Sequence, residues 1–222
     1  MTNEEPTLSH RLQILSTEHW SLLASRSLAW SESFNRAAMF LATLSGAVVA
    51  LALVAQVSSF GRMFSIFALI ILPLVLFIGI TTVLRLGVTN YHDRLCVMGM
   101  NRIRHAYLEM APDIETYFVM SAHDDPRGVA ITMGLPPFTP FYQHVLAGTP
   151  IVIIVINSII SGVIGSIGAS LFTAQALTVA LAGVVGFLIS VLLHRRGAAK
   201  NIKEAMHALQ PRFPGEDVTA RT

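Results

Sequence analysis

The chain has 222 residues, of which 53% are hydrophobic and only 13% charged, and its mean hydropathy is +0.62. Soluble domains carry about 25% charged residues, so this deficit points to a membrane protein. The formal net charge of +2 says little about partners, and the single cysteine, Cys96, excludes an intrachain disulfide and a multi-cysteine metal cluster.

Residues 1–36 read as an amphipathic helix, because Leu8, Leu12, Leu15, Leu22, Leu23, Trp30 and Phe34 recur at roughly helical spacing. The helix is expected to run on into the apolar stretch that follows. Its stripe predicts packing against another cytoplasmic helix, with a membrane-surface helix bearing Trp20 and Trp30 as the alternative. No secretory signal peptide is expected, since the first apolar stretch begins near Ala37 and is too long for a cleavable one.

A bilayer core takes about 20 mostly apolar residues in a helix. Residues 37–56, 63–84, 150–171 and 176–193 each meet this, and none of them contains Asp, Glu, Lys or Arg. Short links, VSSFGR and FTAQ, join the first to the second and the third to the fourth. The expected fold is therefore an all-α membrane protein with four transmembrane helices in two hairpins, 37–84 and 150–193. Every one of the 15 basic residues except Arg62, and all 13 acidic ones, fall outside the two tight turns on one side. Both termini and the central segment 85–149 are then expected in the cytoplasm. That arrangement leaves no room for an external receptor domain.

After the second span the helical pattern continues. Val88, Tyr91, Leu95 and Met98 keep a heptad-like seam that Ile103, Tyr107 and Met110 extend with a shift, and Pro112 marks the stop. One continuous helix from Met63 to Met110 would be about 72 Å long. Its apolar stripe and that of the N-terminal arm are expected to bury each other. A short helix and a turn at HDDPRG follow, then LPPFTPFYQHVLAGTP, whose Phe138, Phe141 and Tyr142 suit a chain returning along the membrane interface.

The third span, IVIIVINSIISGVIGSIGAS, carries an amide at its middle. An amide in hydrocarbon without a partner costs several kcal/mol, on the order of 4–8 in the least forgiving solvent. Asn157 must therefore face protein or water. Three readings are open: a hydrogen bond within the bundle, one across an oligomer axis, or a pore-lining amide. Ser158, Gly162 and Ser166 lie four apart, as do Ser161, Gly165 and Ala169, and as do Ala182, Gly186 and Ser190 in the fourth span. Small residues at this spacing let helix backbones approach closely. One row of the third span could serve the contact with the fourth, leaving the other for a neighbouring subunit or a water-filled path.

Pro73 lies inside the second span and could act as a hinge or a static kink. The cations Arg195, Arg196, Lys200 and Lys203 follow the fourth span at once, where they suit anionic lipid headgroups or simply fix orientation. His92 with Asp93, and His123 with Asp124 and Asp125, could begin a metal site. HDDPRG reads more simply as a solvated turn, and YHDR as the polar face of a helix. Cys96 has no evident activating base and is expected to be inert. No phosphate loop, HExxH or GxSxG occurs, and the spans hold no ionisable group, so neither an enzyme nor a coupled transporter is expected. No cofactor, metal or nucleic-acid partner is expected.

HWSLLASRSLAWSESFNRAAMFLATLSGAVVALALV and RLGVTNYHDRLCVMGMNRIRHAYLEM together read as amphipathic helix, tight two-span hairpin and long amphipathic helix. In this layout residues 10–110 resemble the SLATT-type bacterial membrane hairpins. That resemblance implies a pore-forming effector of a defence system, and it covers under half of the chain. MNRIRHAYLEMAPDIETYF is similar in texture to uncharacterised bacterial integral membrane families. The resemblance transfers no site residue.

The favoured expectation is a homo-oligomeric channel or pore for ions or small solutes. Asn157 with Ser158, Ser161, Gly162, Gly165 and Ser166 would line or seal it. The alternative is a non-conducting scaffold or regulatory protein that recruits a cytoplasmic partner through its central segment.

Overall fold

A computed structural model describes residues 7–135, 148–208 and 210–215, and the side chains of all of these except 199–208. The interfacial return expected around Phe138, Phe141 and Tyr142 lies outside the described residues. Five α-helices are described, with no strand among the described residues: α1 (Leu8–Ser58), α2 (Arg62–Met110), α3 (Pro126–Thr132), α4 (Thr149–Ser170) and α5 (Ala176–Ala208). A 3-10 helix, Pro112–Tyr117, follows α2, which stops one residue before Ala111 as the proline requires. Helices α1, α2, α4 and α5 are long and apolar enough to cross a membrane, as in a multi-pass membrane protein.

Residues 59–61 join α1 to α2. Ser59 and Phe60 both adopt positive φ (48° and 58°), and the Gly61 N–H bonds the Ser58 carbonyl at 2.8 Å. The chain forms two compact units. One, here the span unit, comprises Glu32–Val88 and Val145–Glu204. The other, the polar unit, comprises Met1–Ser31, Thr89–His144 and Ala205–Thr222.

In the span unit the core draws on three helices: Ala37, Phe40 and Ala47 from α1, Ala68, Leu72, Val75 and Leu86 from α2, and Ile153 and Ile160 from α4. Leu181, Val184, Val185, Leu188, Ile189 and Leu192 of α5 are exposed, a face that suits contact with lipid. The polar unit has a smaller core of Val97, Met98, Met100 and Val129, against which Leu22 and Met133 pack.

The buried face of α2 obeys one rule along most of its length. It runs Ala68, Leu72, Val75, Gly79, Thr82, Leu86, Thr89, Asp93, Cys96, Met100 and Ile103, in steps of four and three. This is the 3.5-residue period of coiled-coil packing. In α1 the least exposed positions alternate likewise through Ser33, Ala37, Phe40, Leu44, Ala47 and Leu51. The seam that α2 buries differs from the one expected. Val88 and Leu95 are exposed, and Thr89 and Asp93 take the seam. In α1, Leu8, Leu12, Leu23 and Phe34 are also exposed, while Leu22 lies against Gly99. Pairing of polar groups, described below, decides the phase.

Candidate functional site

Asn157 sits at the centre of the span unit. It is wholly buried, as are Phe40 of α1 and the neighbouring Ser158. A Cβ on Gly79 would collide with Asn157 Oδ1 and would lie 2.7 Å from the Phe40 ring. Glycine at 79 is thus what lets α4 bring a side-chain amide onto the backbone of α2. Neither Oδ1 nor Nδ2 of Asn157 has a hydrogen-bond partner among the described residues. The amide lies by the Phe40 ring, which belongs with Ile153 and Ile160 to the apolar core. Such a group is expensive to bury dry.

One residue further, polarity is satisfied. The Ser158 hydroxyl lies 2.8 Å from the Ile154 carbonyl and 3.2 Å from the Ser190 hydroxyl. Ser190 in turn lies 3.4 Å from His194 Nδ1, which is also 2.8 Å from the Ser190 carbonyl. A short polar chain therefore links α4 to the end of the apolar part of α5.

Both small-residue rows of α4 are spent on α5. In the first, Gly162 meets Gly183, and Ser166 donates to the Val179 carbonyl at 3.2 Å. In the second, a Cβ on Gly165 would lie 2.7 Å from the Ala182 carbonyl, and one on Gly186 would lie 2.7 Å from the Ser161 carbonyl. The structure thus brings Ser158, Ser161, Gly162, Gly165 and Ser166 together as a helix-packing surface, with neither row left open in the chain. Asn157 alone points elsewhere, toward α1 and α2. Pro73 is exposed, and α2 continues through it as one helix. Arg195 and Arg196 are exposed on α5, and the side chains of Lys200 and Lys203 lie outside the described ones.

At the surface of the same unit, Glu32 of α1 holds Arg85 of α2 in a two-point pair, Nε to Oε1 and Nη2 to Oε2, both at 2.8 Å. Arg36 joins at 3.0 Å. Hydrogen bonds from Arg85, and then from Arg36, bring the Glu32 carboxyl down to about 2.

The polar unit has its own buried charges. Asp93, read from sequence as part of a polar helix face, is buried and accepts from Arg26 Nε at 2.6 Å and Trp30 Nε1 at 3.1 Å, both on Oδ1. This pairing is what puts Thr89 and Asp93 in the seam. Burial, and then the Asp93 charge, push the Cys96 thiol up, and the structure places His92 Nδ1 3.9 Å from its Sγ, a base the sequence did not point to. Burial, and then the Arg104 charge, hold the His19 imidazole below its ordinary value. Asn101, fully buried, donates to the His123 carbonyl at 2.7 Å and accepts from Thr132 at 2.8 Å and Arg104 at 2.7 Å.

HDDPRG is not a solvated turn. Asp124 and Asp125 are 1% and 2% exposed. Asp124 accepts from Arg102 Nε at 2.6 Å and from the backbone N–H groups of Arg212 and Phe213 at 2.9 and 2.8 Å. Asp125 caps α3 through Gly128 N–H at 2.6 Å and takes the Gly215 N–H at 2.8 Å on its other oxygen. Burial pushes the Asp124 carboxyl up, but the two N–H groups and Arg102 outweigh it and hold it below its ordinary value. The carboxylates serve backbone amides here, and among the described residues no group of three or more His, Cys, Asp or Glu is placed to hold a metal ion. Sequence reasoning overlooked this pair of acids as a folding element, because apart from the Gly128 cap the amides they bind lie nearly 90 residues away and leave no local pattern.

Comparison of the chain with known protein families, curated proteins and solved structures finds no match.

Proposed function

We propose that this chain is a homo-oligomeric membrane channel passing ions or small solutes, in a bacterial inner membrane. Its four spans form two hairpins with both termini and the polar unit in the cytoplasm. Asn157 carries the proposal. It is a wholly buried amide with no hydrogen-bond partner among the described residues, in a bundle whose spans hold no fixed charge. Its polarity is wasted in the packed arrangement and would be satisfied by water. The packed arrangement is read as the closed state, with the Phe40 ring and Asn157 meeting over Gly79 as the seal. Because both small-residue rows of α4 face α5, the path is assigned to the Asn157 side and not to the Ser161–Gly165 side. Uncharged, small and amide-bearing linings suffice for a passive pore, whereas coupled transport needs ionisable sites.

The test is flux from liposomes loaded with a potassium- or chloride-sensitive dye. Wild-type protein should release the gradient, and Asn157→Leu should slow it about tenfold, the equivalent of one hydrated amide lost. Equal leak from empty liposomes, wild type and variant, across several ions and pH values, would sink the channel.

A second reading has its own observation. Near the 3-10 helix of the polar unit lies an open groove of about 490 Å³ lined in part by Leu108, Phe118, Val119 and Ile131. Val119 is 88% and the adjacent Tyr117 80% exposed. Apolar surface of this kind favours a scaffold that recruits a protein. Purification from the native cell in mild detergent separates the two readings. A stoichiometric companion lost on Val119→Glu supports the scaffold.

A further inference from the structure

The tail segment 210–215 is fixed to the polar unit almost wholly through its main chain. Arg212, Phe213 and Gly215 offer N–H groups to Asp124 and Asp125, Phe213 accepts from the Asp124 N–H at 3.3 Å, and Arg102 Nη2 reaches the Gln210 carbonyl at 3.3 Å. One side chain adds sequence preference: the Phe213 ring stacks on His105 with centroids 4.1 Å apart and planes 27° from parallel. The two acids are almost fully buried, and among the described residues Arg102 is the cation that pairs with Asp124. Their remaining acceptor capacity is filled by peptide N–H groups, the charge-assisted bonds that suit a carboxylate out of water. Without the segment, those lone pairs would have to turn to water or to another donor. The bound segment itself stays largely exposed, at Gln210, Pro211, Arg212 and Pro214.

We propose that Asp124 and Asp125 form a peptide-binding site that takes an Arg-Phe-x-Gly segment, and that residues 210–215 occupy it in cis as a detachable strap. The site reads two successive N–H groups, a third two residues on, and one aromatic ring. Release of the strap bares both carboxylates and the His105 ring, beside the groove that His105 and His123 also line. The inference does not rest on conduction and stands whether or not the chain is a channel.

The test uses the full-length chain in lipid nanodiscs. Hydrogen exchange at 212, 213 and 215 should speed up about tenfold or more in Asp124→Asn and in Phe213→Ala, while protection across 93–100 stays as in wild type. An added peptide QPRFPG should then bind the Phe213→Ala chain saturably, and QPRAPG should not. Unchanged exchange at 212–215 in both variants would overturn the clamp. Protection lost together at 212–215 and 93–100 would show an inseparable part of the fold, not a strap. Failure of QPRFPG to bind would overturn the peptide site.

Discussion

Asn157 of α4 rests its side-chain oxygen on the α-carbon of Gly79 in α2, and finds no hydrogen bond there or elsewhere among the described residues. Two helices thus meet at a point where one contributes an amide and the other contributes nothing but space. Under the proposed channel, stability and conduction pull apart at this contact. The packed state would be better served by an apolar side chain.

Asn157→Leu keeps roughly the same volume and removes an unmet donor and acceptor. It should stabilise the folded chain by about 1–3 kcal/mol, seen as a raised midpoint of thermal unfolding in detergent. The same variant should conduct less. A lowered midpoint would mean that the amide has a partner in lipid and that its role is structural.

Gly79→Ala should destabilise by about 1–3 kcal/mol, because the new methyl meets both the Asn157 amide and the Phe40 ring. Adding Asn157→Ala should recover much of the loss, since it empties the colliding position. A double-mutant cycle with no coupling between the two sites would contradict the contact.

Gly165→Val and Gly186→Val should each part α4 from α5, because their side chains would press on the Ala182 and Ser161 carbonyls. Proteolysis in residues 171–175, between the two helices, reports the separation. Gly168→Ala is the control. It meets nothing within 4 Å and should be neutral or stabilising by about 0.5–1 kcal/mol.

The Asp124 clamp sets a pH dependence with a definite sign. Its folded-state carboxyl lies below the ordinary value of 3.8, so the charged form favours the folded state. That contribution is complete above the unfolded value and disappears as pH falls through the folded one. The stability difference between wild type and Asp124→Asn, followed by hydrogen exchange at 212 and 213, should be flat from neutral pH down to about 5 and shrink below about 4. A difference that instead changed between pH 6 and 8 would point to a histidine as the controlling group.

The four apolar helices were legible because length and composition carry that signal without help from the rest of the chain. The end of α2 was legible from Pro112. Phase was harder. Val88 and Leu95 look like seam residues and Asp93 does not, until Arg26 and Trp30 arrive from 67 and 63 positions away to bond its Oδ1. Asp124 and Asp125 show the same limit more sharply. A run of two acids before a proline is ordinary turn chemistry, and its burial depends on tail amides that no short window contains. At Asn157 the sequence required a polar partner, and the described fold does not supply one.

The seam of α2 also constrains how this chain can change in length. One residue inserted between Leu86 and Asp93 would turn everything after it by about 100°, swinging Asp93 away from Arg26 and Trp30 and bringing Leu95 or Val97 into wrong company. Seven residues inserted in α2, with seven opposite in α1, would restore the phase of that seam. The helix pair can therefore be lengthened or shortened in whole heptads, and single-residue insertions there should be far less tolerated than the same insertions in residues 59–61.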